Sequence, residues 1–475
     1  MLLRFRVANH RSIREEQELS LVAAPRRGEA SPPVEAGAPR AVRVAAIYGP
    51  NASGKTSIIS AIYYLIVALR ESYRIWDPTD EIPRQPFLLD NFSRKEASLF
   101  ELDFTVAGIR YNYGFELGVS EVIAEWLYSY PRGKKRVLFD RLDGEFHFGR
   151  SLRGENATTA RLTRPNALFL SVAAASSHEE LTEIFRYLTS SLVYADSSHN
   201  HEVSRLGWLR GKMRDPEFSR DVSDMLRLAD LGLVGIELVD NEIVATKKPG
   251  SRSGKTSNVV FDVDFGDSIS QPPKSAVEAL KKLLGGINGD IQLTSNSQIM
   301  LLHESDDPNV SFPVPLTQES SGTRSWLSLA GRILFAIRYG ETLIVDEIDA
   351  SLHPKLSATL IHIFKDEEIN RRGSQLIFTT HDVSFLGSLL EDDLLCRDEV
   401  WFTEKARNGA TTLYSLAEFK PRRGENVERG YLLGRYGALP MIDVHEVKRL
   451  LSRVAWPDYD LAQDEHDHGG VHVEP

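Results

Sequence analysis

The spacing of apolar residues changes period along the chain. Leu2–Val7 and Glu18–Val22 alternate polar and apolar positions around Asn9-His10-Arg11-Ser12, which predicts two short strands joined by a turn. Residues 25–40 have no period and are rich in Pro, Gly and Ala, so a loop is expected. Ala41–Tyr48 is a short apolar run, and glycine-rich Gly49–Gly54 separates it from Ser57–Arg70. There Ile58, Ile59, Ile62, Leu65, Ile66 and Leu69 recur at helical spacing, with almost no polar face left over. Such a helix is predicted to be buried against a sheet.

Leu99–Val106, Arg110–Leu117, Glu125–Ser129, Arg136–Phe139 and Glu145–Phe148 read as strands. Turns such as Ala107-Gly108 and Asp143-Gly144 connect them, the pattern of a β-meander. His178–Tyr194, Asp221–Leu231 and Ser275–Leu284 have helical character, and Leu233–Thr246 and Val259–Asp264 strand character. After Pro315 a loop at 317–323 leads into helix Arg324–Tyr339, strand Thr342–Val345 and helix Pro354–Glu367. Strand Gln375–Thr380 and helix Val383–Leu390 follow, an alternation that predicts a parallel α/β core.

Composition narrows the class. A chain of 475 residues, 42% hydrophobic, is ample for a core that needs neither disulfides nor a structural metal. The single Cys396 fits a reducing compartment, and a cytoplasmic protein is expected. No run approaches the ~18 consecutive apolar residues of a spanning helix, and Met1–Val7 does not resemble a signal peptide. A net charge of −11 argues against a protein coated for nucleic acid, although Arg132-Gly133-Lys134-Lys135-Arg136 is a local basic cluster. The acidic tail from about Pro457 is expected to be disordered, and its His466, His468 and His472 could take up a metal only adventitiously.

Gly49-Pro50-Asn51-Ala52-Ser53-Gly54-Lys55-Thr56 satisfies G-x-x-x-x-G-K-[ST], with an apolar strand before it and an apolar helix after it. The glycines let backbone N–H groups turn inward around phosphate oxygens at a helix N-terminus. Lys55 is placed for the β- and γ-phosphates, and the Thr56 hydroxyl for Mg²⁺. A second glycine-rich stretch, Gly250–Thr256, has the wrong spacing and precedes strand-like residues, so it reads as a hairpin loop. Thr342–Val345 ends in Asp346-Glu347, where a P-loop fold controls magnesium and the attacking water. Asp346 would hold the magnesium shell and Glu347 would orient and deprotonate the water. Gln375–Thr380 ends at His381, on the ligand side of a parallel sheet, which suits a γ-phosphate sensor.

In this order the pieces resemble the ABC-type ATPase heads of the RecF/SMC group. Asn9-His10-Arg11-Ser12 is similar to that group's N-F-[KR]-S turn, with His in place of Phe, which puts Arg11 and Ser12 beside the nucleotide. Glu319-Ser320-Ser321-Gly322-Thr323 resembles the L-S-G-G-Q signature at Ser320 and Gly322. Asp349–Pro354 matches the D-loop and the following Leu-His-Pro, and Gln85 before Pro86-Phe87 stands as a Q-loop glutamine toward the metal. Glu428–Pro440 resembles the ending of compact AAA family ATPases of bacterial defence islands, a group that includes RloA-type proteins and the ATPase subunit of the PARIS system. The stretch from Thr56 to Gly322 is too long for a transporter ATPase and lacks the heptads of an SMC arm, so a globular insertion is expected instead.

The resemblance implies an α/β P-loop NTPase, an ABC-type head with an N-terminal β-meander lobe and an α+β insertion in place of a coiled coil. Its divisions are 1–150 and 316–445 for the two halves of the head, 151–315 for a mainly helical insertion, and 446–475 for a C-terminal extension. The implied activity is slow, regulatory hydrolysis of ATP with Mg²⁺. Two heads would sandwich the nucleotide, with Ser320 and Gly322 acting in trans. The implied partners are a second copy, a separately encoded effector (often a nuclease) and a phage-derived trigger, as in antiphage and toxin–antitoxin-like systems. The insertion would mediate assembly or capture. A RecF-like repair ATPase binding DNA directly is the alternative. A built-in nuclease finds little support, since Glu391-Asp392-Asp393 and Asp398-Glu399 do not end apolar strands with the spacing that two-metal cleavage needs.

Overall fold

The computed structural model describes residues 1–23, 39–196, 199–229, 232–247, 259–261, 291–307, 310–350, 352–387, 394–421, 425–440 and 444–452. The expected loop at Gly250–Thr256, the helix at Ser275–Leu284, Glu391–Asp393, and the tail with His466, His468 and His472 lie outside them.

The elements run in the order β1 (Leu2–Ala8), β2 (Gln17–Ser20), β3 (Val44–Tyr48), α1 (Lys55–Glu71), β4 (Ser98–Val106), β5 (Ile109–Leu117), β6 (Val122–Tyr130), β7 (Arg136–Leu142) and β8 (Glu145–Phe148). Next come α2 (Asn156–Leu162), α3 (Phe169–Ala175), α4 (Leu181–Ser190), β9 (Leu192–Ala195), α5 (His199–Lys212) and α6 (Pro216–Arg227). Strands β10 (Leu233–Lys247), β11 (Val259–Phe261), β12 (Ile291–Glu304) and β13 (Ser311–Pro315) lead to α7 (Ser321–Tyr339), β14 (Thr342–Val345), α8 (Pro354–Lys365) and β15 (Gln375–Thr379). The hairpin β16 (Val400–Lys405) and β17 (Thr411–Ser415) precedes α9 (Val427–Leu432) and α10 (Val444–Leu451).

Among the described residues the strands form three sheets. The central one has the order β17-β16-β3-β15-β14-β9. Its strands are parallel except β17, which returns antiparallel to β16. Strands β3, β14 and β15 are buried throughout, as a parallel sheet covered on both faces requires. Side chains of β3 alternate between two cores. Ala45 and Ile47 join α1, α3 and α4 on one face, while Val44, Ala46 and Tyr48 join α7 and α8 on the other.

The second sheet, β2-β1-β4-β5-β6-β7-β8, is the expected antiparallel meander. Its inner face packs Phe5, Phe100, Leu102, Phe104, Tyr113 and Phe115 into the core that holds Ile58 and Ile62 of α1. The third sheet, β11-β10-β12-β13, follows α5 and α6 in the insertion.

Two boundaries differ from expectation. The helix predicted over His178–Tyr194 ends at Ser190, and Leu192–Ala195 pairs in parallel with β14 as an outer strand of the central sheet. Branched and aromatic residues after Ser190-Ser191 favour extended backbone, and the free side of β14 supplies its hydrogen bonds. Phe169, Leu170, Leu181, Ile184, Leu188 and Leu192 share one core with Phe5 and Ile58, so α3, α4 and β9 pack with the meander and α1. Within the expected division 151–315, α5 and α6 are the described helices that follow β9. Of the helix predicted over Val383–Leu390, Val383–Leu386 forms a single turn capped by the Asp382 side chain, and residues 388–390 lie outside the described ones.

The insertion docks on α7. A Cβ at Gly331 would collide with Leu209, Trp208 lies edge-on to Phe335, and Glu202 and Asp221 pair with Arg324 and Arg338.

Candidate functional site

Strand β3 delivers the glycine-rich loop at the carboxyl edge of the central sheet, and α1 begins with Lys55 directly behind it. Three residues of the loop take left-handed or positive φ, namely Gly49 (154°), Ala52 (63°) and Gly54 (112°). Glycine is required at two of them for space as well. A Cβ on Gly49 would collide with Thr403 and Ser53, and one on Gly54 with Thr411. Thr403 and Thr411 lie on the β16–β17 hairpin, so the loop is pressed between the head's two ends. The hydroxyls of Ser53 and Thr403 are 2.6 Å apart, and the Thr411 hydroxyl lies 2.9 Å from the Ser53 carbonyl and 2.8 Å from the Ser12 hydroxyl. Ser12 also meets the Ser57 hydroxyl at 2.8 Å.

Inside the loop the Lys55 ammonium donates to the Gly49 carbonyl at 2.8 Å and to the Pro50 carbonyl at 3.3 Å, almost fully buried. Burial lowers its pKa, while Asp346, Glu347 and Asp349 pull the other way. Its hydrogen bonds thus go to neutral carbonyl oxygens, which phosphate oxygens can replace with stronger, charge-assisted ones.

Across the cleft, the Thr379 hydroxyl donates to Asp346 Oδ1 at 2.6 Å and accepts from the Glu347 N–H at 2.7 Å. Glu347 has a φ of 57°, so the chain turns sharply out of β14 and carries an exposed carboxylate into the cleft. The His381 N–H donates to Asp349 Oδ2 at 3.2 Å, and Asp349 Oδ1 is buried without a hydrogen-bond partner. His381 is held below its usual pKa by burial and by Lys55, against the pull of the three acids. It is therefore neutral near pH 7. The Thr56 hydroxyl lines the cleft and the carboxylates of Asp346, Glu347 and Asp349 act on Lys55 there, hard oxygen donors of the kind that suit Mg²⁺.

One cleft of about 490 Å³ brings together Arg11, Ser12, Asn51–Ser57, Glu347 and His381, together with Lys405. Gln85 does not line it. Gln85 lines an adjoining cleft with Arg84 and Pro86–Leu89, and its carbonyl accepts from the Arg11 N–H at 2.7 Å. Ser320 caps α7, accepting from the Thr323 N–H at 3.1 Å, and neither it nor Gly322 lines the Lys55 cleft. In the basic cluster Lys135 lies over the Tyr128 ring and Arg136 pairs with Glu180, so two of its four cations are held locally. Glu399 pairs with Lys365 at 2.8 Å and accepts from the Cys396 N–H, a structural assignment.

Sequence reasoning missed Thr379, Thr403, Lys405 and Thr411. The hairpin had a signal in the apolar run Val400-Trp401-Phe402 and the turn Asn408-Gly409. That its threonines brace the P-loop had none, because the bracing depends on which strand β16 joins. The terminal motif has a structural place too. Tyr431 and Tyr436 stack on Phe402 of β16, the Tyr431 hydroxyl donates to the Ala438 carbonyl, and the Ala438 N–H donates to Glu404.

Residues 44–387 match the model of a family described as "AAA domain, putative AbiEii toxin, Type IV TA system". The chain belongs to this family of ATPase domains. Among curated proteins none matches. Among solved structures the chain is similar to an SMC head domain from Thermotoga maritima, at 12% identity and a TM-score of 0.37, over 87% of this chain and 98% of that one. An Smc head bound to the C-winged helix domain of ScpA is similar at 13% identity and a TM-score of 0.37, over 88% and 99%. A third, the Smc head with an extended coiled coil bound to the C-terminal domain of ScpA from Pyrococcus furiosus, has 12% identity and a TM-score of 0.36, over 88% and 99%. Among the described residues no helix is long and apolar enough to cross a membrane.

Proposed function

We propose that the chain is an ATP-hydrolysing switch whose heads pair around ATP and which controls a separately encoded effector, an RloA- or PARIS-like role in antiphage defence. The observation that carries this reading is the convergence of Lys55, Asp346, Glu347, Asp349 and His381 at one sheet edge, with Ser320 and Gly322 outside their own chain's cleft. Lys55 exchanges its two carbonyl partners for phosphate oxygens, and Thr56 and Asp346 hold the metal. Bound Mg²⁺ supplies charge neutralisation between the phosphates. Glu347, projected by its left-handed backbone, positions a water and takes its proton. Neutral His381 donates to the terminal phosphate, and Asp349 steadies the loop that carries it.

The nucleotide state reaches the rest of the molecule through α7. Its N-terminus bears Ser320, and along its length it carries Arg324, Gly331 and Arg338, on which the insertion rests. The insertion thus serves as the region that reports pairing to an effector or trigger. A ligand shifts such an equilibrium only by its differential affinity for the two states, so pairing must strengthen ATP binding.

Lys55→Ala tests the reading. Calorimetry should find no ATP binding, and size-exclusion chromatography should find the ATP-dependent dimer of the parent missing. Micromolar ATP affinity in the variant would remove the basis of the proposal.

A further inference from the structure

The cleft that holds Lys55 and the adjoining cleft share three residues, Arg11, Ser12 and Lys405. They therefore form the neck between two spaces of different chemistry. The first, lined by the glycine-rich loop, Glu347 and His381, is the more polar of the two and suited to phosphates. The second, about 510 Å³, has walls from Pro86, Phe87, Leu88 and Leu89, with Leu88 and Leu89 largely exposed. Its floor includes Gly409, at the turn of the β16–β17 hairpin, where a Cβ would collide with Leu89. The Arg84 guanidinium is occupied by the Glu96 and Arg94 carbonyls, which leaves the Gln85 amide as the uncommitted polar head on that wall.

Lys405 ends β16 and is exposed, and its ammonium makes no ion pair among the described residues. Nothing in the fold explains it. Its strand neighbour Glu404 is turned to the other side, accepting from the Ala438 N–H. A lone lysine at a neck between a phosphate space and an apolar space stands where a polyphosphate joins its nucleoside.

We propose that Lys405 is a nucleotide-positioning residue that clasps the α-phosphate together with Arg11, and that the base lies beyond it against Leu88 and Leu89, within reach of Gln85. This rests on the nucleotide reading of the P-loop and assigns the substrate's other half. It also gives Gln85 a place at the base rather than at the metal. Its amide, with one acceptor and two donors, can pair with a purine edge.

The test uses the full chain and two probes, ATP and inorganic tripolyphosphate, the second lacking sugar and base. In Lys405→Gln the dissociation constants for both should rise about ten-fold or more, the effect of losing one charge-assisted hydrogen bond. In Leu88→Asp, an exposed position whose change spares the core, ATP should weaken by a similar factor while tripolyphosphate is unchanged. Lys405→Gln with unaltered affinity for both probes overturns the role of Lys405, and Leu88→Asp that weakens tripolyphosphate as much as ATP overturns the placement of the base. The underlying nucleotide reading fails separately, if the parent chain itself binds neither probe.

Discussion

The two large sheets of the head arrange their charged groups differently. In the antiparallel meander almost every charged side chain near the core has a partner within the sheet. Arg6 pairs with Glu101, Arg110 with Asp103, and Trp126 donates to Asn112. Even fully buried Glu125 accepts from the Tyr113 hydroxyl and from the N–H groups of Phe169 and Leu170, capping α3 from outside. At the carboxyl edge of the parallel sheet like charges are gathered instead. Lys55 rests on two carbonyls, Asp349 has a bare oxygen, Glu347 sits in a strained backbone region, and three acids crowd one lysine. Buried polar atoms without a partner occur on both sheets, Asp103 Oδ1 and Ser129 Oγ among them in the meander, so what sets the edge apart is three acids gathered around one buried cation, an arrangement suited to a polyanion and its metal.

Single substitutions should separate the two regions. Glu347→Gln keeps shape and removes the proton acceptor, so hydrolysis should fall by about 10²–10⁴ with folding stability unchanged. A steady-state rate within two-fold of the parent would move the base to another residue, with His381 first in line. Glu125→Ala acts on the other sheet. It strips the cap of α3 and removes the larger of two acidic charges acting on the buried Arg141, whose guanidinium keeps its bonds to the Ala167 and Pro165 carbonyls, which should cost about 3 kcal/mol in denaturant titration. ATP affinity of the remaining folded fraction should be unaltered, and a specific loss of binding would blur the division drawn above.

The smallest effect is expected at His10, which intrudes on the meander's economy. It is buried between Tyr64 and Phe100, Nδ1 has no partner, and burial followed by the charge of Arg11 lowers its pKa to about 3. The unfolded chain takes up this proton at its ordinary value near 6.5, so stability should fall as pH drops from about 6.5 toward 3. His10→Phe should raise stability by about 1–2 kcal/mol at pH 7 and flatten that acid limb. An unchanged acid limb in the variant would assign the pH response to other groups.

Much of this was legible in the sequence because it is written in local spacing. The P-loop, the strand-end acids Asp346-Glu347, His381 and the meander all announce themselves through residues that are neighbours in the chain. What escaped depends on pairing across long distances. Leu192–Ala195 continued a helical pattern until the vacant side of β14 drew it into the sheet. Thr379 looked like an ordinary strand end, yet it holds the two acids in register. Thr403, Lys405 and Thr411 sat in an unremarked hairpin, because only the joining of β16 to β3 brings them against the loop.

That joining also governs when the protein can first work. Strand β3 is flanked by β15 and β16, both made of residues that leave the ribosome hundreds of positions later. During synthesis the meander can close from near neighbours, while the phosphate loop waits without either side of its sheet. Contacts of such long sequence separation form slowly. Only when Thr411 has emerged are both walls of the loop available. A chain terminated before β15 would lack both strands that flank β3 and the hairpin threonines that press on its glycine-rich loop.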